Sequence, residues 1–118
     1  LSASNPPDPT DVAATIRSYE LPVYVTEFDI NLHGVSGTQA ERYQRQAEIT
    51  SAMLTAVRAS GVCSGFTVWG IGDKYSWLED SLGIPDAAPT LFDDDLLPKP
   101  AYYALRDALA VAGTRQIV

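Results

Sequence analysis

From residue 21 to 30 the chain reads Leu-Pro-Val-Tyr-Val-Thr-Glu-Phe-Asp-Ile, an apolar run rich in β-branched and aromatic residues. That pattern predicts a buried strand. A polar loop from Asn31 to Gly37 follows, and then Thr38 and Glu41 have the spacing of a helix capping box. Beyond them Ala40, Tyr43, Ala47, Leu54 and Val57 recur at three- and four-residue steps, and Gly61 supplies a stop, so a helix is expected between. Gly65-Phe66-Thr67-Val68-Trp69 predicts a second short strand. A long loop from Gly70 to Leu97 then leads to Pro98-Lys99-Pro100 and a last helix, with Ala101, Leu105, Ala108, Leu109 and Ala112 on one face and Gly113 at its end. Before the first strand, the proline-rich opening from Ser2 to Pro9 denies helix and strand alike. Asp8 or Thr10 can cap a short helix carrying Val12, Ala13 and Ile16.

Two buried strands joined through a helix imply a parallel βαβ unit with a right-handed crossover. Parallel sheets are nearly always covered on both faces and extend over more than two strands. The pattern therefore reads as an excerpt of a larger α/β sheet, one segment spanning residues 1–118.

Composition narrows the function. With 46% hydrophobic and 19% charged residues the chain is ordinary for a globular domain. No apolar run approaches the ~20 residues of a membrane span, and no leader is visible ahead of Leu1. A net charge of -7 argues against a nucleic-acid partner, which calls for a basic patch. The single cysteine, Cys63, lies in an apolar stretch and is expected to be a buried structural thiol. The single histidine, His33, has no Cys, His or acid cluster at metal-ligand spacing and is expected in a loop, so no metal or other cofactor is implied.

The chemistry concentrates at the strand ends. Strict alternation would put Glu27 and Asp29 on one side of the first strand, beyond Val23 and Val25. Carboxylates on an apolar strand are costly to desolvate unless partnered, and the C-terminal ends of strands are where α/β barrels build active sites. Solvated acids at a strand end are the competing reading. The second strand runs into Trp69-Gly70-Ile71-Gly72-Asp73-Lys74-Tyr75-Ser76-Trp77. Indole and phenol rings can stack on the C–H faces of sugars, while Lys74 and Asp73 can bond hydroxyls. The competing reading has both Trp in a core, where Trp is usually buried, although so long a loop is more often functional.

Val25-Thr26-Glu27-Phe28-Asp29-Ile30 resembles the nucleophile motif of family 10 endo-β-1,4-xylanases, usually I-T-E-L-D. Phe66-Thr67-Val68-Trp69-Gly70 and Asp73-Lys74-Tyr75-Ser76-Trp77-Leu78 resemble that family's eighth-strand signature, and Leu91-Phe92-Asp93 with Pro98-Lys99-Pro100-Ala101-Tyr102 its closing motif. The resemblance implies a (β/α)8 TIM barrel of which this chain is the C-terminal part, strands seven and eight with flanking helices, incomplete on its own. It implies a retaining endo-1,4-β-xylanase acting on xylan or xylo-oligosaccharides, with Glu27 as nucleophile. Asp29 would support it by holding a strand-six histidine, and Trp69, Trp77, Lys74 and Tyr75 would bind substrate. Asp93 and the Pro98-Lys99-Pro100 turn would be structural, with Lys99 facing solvent. Phe28 stands for the usual Leu, and Leu96 for a common Tyr.

The resemblance also implies an acid/base glutamate in an Asn-Glu motif on strand four, and no Asn-Glu pair occurs here. Glu20, Glu41, Glu48 and Glu79 fall on helices, helix ends or the long loop. A barrel of this kind needs about 250 residues. The chain is therefore expected to start just after strand six, and either to associate with itself or to complement an N-terminal fragment through its open strand edges. The other readings are a xylan-binding remnant without catalysis and a part of a related barrel β-glycanase. Secretion is implied by the family alone.

Overall fold

The computed structural model describes residues 1–110, so the expected helix positions Ala112 and Gly113 lie outside the described residues. The first helix, α1 (Pro9–Ser18), starts where Asp8 rather than Thr10 serves as cap, its carboxylate accepting from the backbone N–H of Thr10 at 2.7 Å and of Asp11 at 3.3 Å. Proline at the first helical position loses nothing there, because that N–H has no helical partner. Ala13 and Ile16 form the buried side of α1.

The chain leaves α1 through Glu20, at φ 53°, and enters β1 (Val23–Phe28). The crossover helix α2 (Gln39–Ala59) opens on the expected capping box: Thr38 Oγ1 accepts from Glu41 N–H, and the Glu41 carboxylate accepts from Thr38 N–H, each at 3.2 Å. It closes at Ser60 and Gly61, the latter at φ 75°, where the absent Cβ removes the strain. The second strand, β2 (Cys63–Val68), pairs parallel to β1, as two strands joined by a helix should. Helix α4 (Pro100–Ala110) packs against α2, and Arg58 of α2 donates to the carbonyls of Ala108 and Leu109 at 3.0 Å. Leu109, expected on the covered face, is exposed.

The core lies on one face of the strand pair. Phe28, Ile30, Leu32, Ile49 and Met53 are buried there with Val25, Phe66 and Val68 against them. Buried among them, Gln46 of α2 donates its side-chain amide to the carbonyls of Ile30 at 3.1 Å and Ala88 at 2.7 Å, which ties the strand exit to the long loop. The opposite face is bare: Tyr24, Thr26 and Thr67 are exposed. Among the described residues no third strand flanks the pair. The proline-rich start, read as loop, does contribute one short sheet-like contact. Residues 1–3 run parallel to 29–31, with Asn31 N–H donating to Leu1 O at 2.8 Å and Ala3 N–H to Asn31 O at 2.9 Å.

The 70–97 segment is more ordered than its sequence suggests. It holds a 3-10 turn (Asp73–Tyr75) and a single-turn helix, α3 (Trp77–Asp80), and Phe92 bridges to both Gly72 and Pro98.

Candidate active site

The register of the two strands decides where the carboxylates go. Val25 pairs with Phe66 and Phe28 with Val68, so three steps along β1 match two along β2. The irregularity is a bulge in effect, and it inverts the in–out order of the bulged strand. Val25 and Phe28 therefore both reach the core, where Phe28 packs on Phe66 with ring centroids 4.8 Å apart. Glu27 is left exposed next to exposed Thr26, whereas Asp29, just past the strand, is buried. The two acids, expected on one side with Val23 and Val25, thus differ in burial, and Glu27 lines a shallow cavity together with Val25, Phe28 and Phe66. Alternation holds for a regular strand only.

β2 ends beside them. The backbone N–H of Trp69 donates to the carbonyl of Phe28 at 2.8 Å, pinning the two strand exits together. Gly70 then turns at φ 103°, a conformation open to glycine, and the chain folds back over the strand ends. Ser76 caps α3 by accepting from Leu78 N–H at 3.2 Å, which sets Trp77 at the first helical position. From there Trp77 Nε1 donates to Asp29 Oδ2 at 2.8 Å. The other side of Asp29 meets the start of the chain: Leu1 N lies 2.9 Å from the Asp29 carbonyl and 3.6 Å from Oδ1.

Both indoles are accessible, Trp69 at 43% and Trp77 at 42%, so within this chain neither is enclosed in the core. Lys74 and Tyr75 occupy the 3-10 turn between them, exposed, with the Lys74 ammonium 5.8 Å from the Tyr75 ring centroid. The structure thus brings Asp29 and Trp77 into contact and fastens Trp69 to the exit of β1. Lys74 and Tyr75 touch neither carboxylate through a hydrogen bond or ion pair. The other glutamates are occupied elsewhere. Glu41 closes its capping box, Glu48 accepts from Gln44 at 3.4 Å, and Glu79 accepts from Ala88 N–H at 3.3 Å. Glu20 turns the chain at the far end of β1.

Three side chains behave otherwise than expected. Lys99, expected in solvent, is 2% exposed and its ammonium lies 2.9 Å from Asp73 Oδ2. It also donates to the carbonyls of Ala88 at 2.7 Å and Thr90 at 2.9 Å, and sits 4.5 Å from the Tyr43 ring centroid. Burial lowers the Lys99 pKa and the Asp73 carboxylate opposes that shift. Burial likewise raises the Tyr43 pKa, with Asp73 adding to it. Asp73, proposed from sequence as a hydroxyl-bonding group, is buried, and its other oxygen accepts from Thr90 N–H and Oγ1, both at 2.8 Å. Nothing in the local sequence announces a pair 26 residues apart. Cys63 is half-buried rather than buried, its thiol 3.2 Å from the Gly65 carbonyl. His33 lies in the loop after β1, where its Nδ1 is 2.9 Å from the Pro85 carbonyl. No helix among the described residues is long and apolar enough to cross a membrane.

The chain and its fold have known counterparts. The model of glycosyl hydrolase family 10 matches residues 3–108. Endo-1,4-beta-xylanase A of Cellvibrio japonicus is 47% identical over 66 residues, which are 56% of this chain and 10% of that protein. The solved endo-1,4-beta-xylanase XylE of Penicillium canescens superposes with a TM-score of 0.82 at 32% identity, covering 92% of this chain and 33% of its own. Xylanase 10B of Thermotoga petrophila, solved with xylobiose, gives a TM-score of 0.77 at 26% identity over 92% of this chain and 33% of its own. The chain therefore spans about a third of the solved xylanases that it matches, and its fold is part of a larger α/β barrel.

Proposed function

The chain belongs to glycosyl hydrolase family 10, and we propose that it is the C-terminal part of a barrel that cleaves internal β-1,4 bonds of xylan with retention of configuration. In this reading β1 and β2 are the seventh and eighth strands, and residues 1–118 are one segment of a single catalytic domain. The parallel contact of residues 1–3 with residues 29–31 supports a neighbouring strand on the free side of β1. The bare face with Tyr24, Thr26 and Thr67 is then the barrel interior, awaiting the other strands.

One observation carries the reading: at the carboxyl ends of two parallel strands the Trp77 indole bonds Asp29 and the Trp69 backbone bonds that of Phe28, next to Glu27 in the chain. Barrel enzymes build their sites at that end. Two accessible indoles offer apolar faces to pyranose rings, and Lys74 and Tyr75 border them with groups that bond hydroxyls.

The chemistry follows from Glu27 as nucleophile. Its carboxylate oxygen forms a bond to the anomeric carbon as the bond from that carbon to the leaving oxygen breaks. A second carboxyl group gives its proton to the departing oxygen. Water then attacks the anomeric carbon, passes a proton to that second carboxylate, and frees Glu27. Two inversions retain the configuration. Retaining enzymes set the two carboxyl groups about 5–5.5 Å apart. Because Glu20, Glu41, Glu48 and Glu79 are engaged away from Glu27, the acid/base group comes from another part of the barrel. Secretion goes with this reading, because a polysaccharide substrate is too large to enter a cell.

The test is a chimera in which residues 3–108 replace the matching segment of the Penicillium canescens enzyme. Xylan hydrolysis by the chimera that is lost on Glu27→Gln supports the reading. Unchanged turnover in that variant removes Glu27 from the mechanism.

A further inference from the structure

Tryptophan has one hydrogen-bond donor and no acceptor, so where its N–H goes decides what the ring can still do. Of the two indoles, Trp77 spends its donor inward on the buried Asp29 carboxylate, at 2.8 Å. Bonds from N–H to a carboxylate are among the stronger and more directional ones in proteins. The rest of the Trp77 ring is accessible, at 42%. Trp69, at 43%, donates its indole N–H to no group among the described residues.

Asp29 is shared between two neighbours. Its Oδ2 holds Trp77, while its Oδ1 faces the backbone nitrogen of Leu1 at 3.6 Å. It also stands two residues from Glu27, on the stretch that leaves the bulge. A buried carboxylate with little room fixes the angle of any ring bonded to it.

We infer that Asp29 is a positioning residue for Trp77, setting that indole as a stacking face whose N–H is unavailable to sugar, and leaving Trp69 as the indole that can donate to a hydroxyl. The inference rests on the reading of the strand ends as a sugar-binding cleft. It gives Asp29 a role toward substrate besides any toward the nucleophile. It also couples the pose of the sugar to the segment that carries Glu27.

The bond itself is read without any activity. The chain has two tryptophans, so the isotope-labelled chain bound to the unlabelled N-terminal two thirds of a family 10 barrel gives two indole N–H signals in a nitrogen–proton NMR spectrum. The Trp77 signal is expected to exchange with water at least about tenfold more slowly than that of Trp69, as hydrogen-bonded groups do. Asp29→Asn should shift the Trp77 signal and leave that of Trp69 in place. A Trp77 signal that does not respond overturns the inference. The consequence for sugar is read in the chimera by the affinity for xylotriose. Asp29→Asn and Trp77→Phe should each weaken binding about tenfold, the scale of one hydrogen bond to a charged group. Together they should weaken it no further than either alone. A hundredfold loss in the double variant, the product of the two, means that Asp29 acts independently of Trp77 and overturns the inference. If the parent chimera binds no xylotriose while the Trp77 signal still answers to Asp29, the sugar reading fails and the positioning bond stands.

Discussion

Lys99 reaches Asp73 across 26 residues, its ammonium 2.9 Å from the carboxylate with both groups buried. Asp73 opens the segment that follows β2 and Lys99 closes it, and the carbonyls of Ala88 and Thr90 between them bond the same ammonium. The pair therefore fastens both ends and the middle of the loop that presents Lys74, Tyr75 and Trp77.

Breaking a buried pair on one side leaves a charge without a partner, which costs about 3–5 kcal/mol. Lys99→Met in the chimera should lower stability by that amount, because Asp73 keeps its charge while two carbonyls lose their donor. Chemical denaturation measures it. A loss below about 1 kcal/mol, the range of exposed pairs, would mean that the ammonium is solvated in solution. Asp73→Asn combined with Lys99→Met should be less damaging than the sum of the singles.

The pH dependence has a defined sign. Burial lowers the Lys99 pKa in the folded protein, while the unfolded chain holds the proton to about pH 10.4. Between the lowered value and the ordinary one the unfolded state binds more protons, so the Lys99 contribution to stability rises with pH. Below the lowered value it is flat. The stability difference between the parent and Lys99→Met should therefore widen as pH is raised through the alkaline range toward 10. Tyr43, whose pKa is raised, adds the opposite slope only above its ordinary range. A difference that narrows over the same interval contradicts the assignment.

Removal of the nucleophile should be repairable from outside. Glu27→Ala in the chimera is expected to lose on the order of a thousandfold or more in turnover, as when one member of a catalytic set is deleted. Azide added to that variant can attack the anomeric carbon from the vacated side and yield a glycosyl azide of inverted configuration. Product analysis by NMR checks both points. A retained configuration, or no response to azide alongside undiminished parent-like turnover, assigns the attacking group elsewhere.

The open edges of a two-stranded parallel sheet invite further strands, and the exposed Tyr24 on the bare face adds apolar surface. The 118-residue chain alone is expected to self-associate at micromolar concentration. Adding the N-terminal two thirds of a family 10 barrel should replace those associations with a one-to-one complex. Sedimentation velocity distinguishes the outcomes. A sharp monomer, cooperative in its unfolding, would show that the bare face is stable in water.

Much of the local structure was legible because it rests on neighbours in sequence. The Thr38–Glu41 box caps α2 through groups three residues apart, so its role follows from spacing, whereas spacing left the cap of α1 between Asp8 and Thr10. Gly61 ends α2 for a backbone reason visible in one residue. The parallel pairing followed from two apolar runs and a helix between them. The different burial of Glu27 and Asp29 was not legible, because an irregular register between strands is a property of the pair.

Sequence by itself determined the order of the two strands and three long helices, the capping box of α2 and the family, since motifs and short-range hydrogen bonds need no knowledge of distant residues. Only the tertiary structure decided that Glu27 is exposed and Asp29 buried, that Trp77 bonds Asp29 across 48 residues, and that Lys99 is buried against Asp73. The physical reason is the same for all three. The free energy of a charged or polar side chain is set by the dielectric and the partners around it, and those are supplied by residues that the linear order keeps far apart.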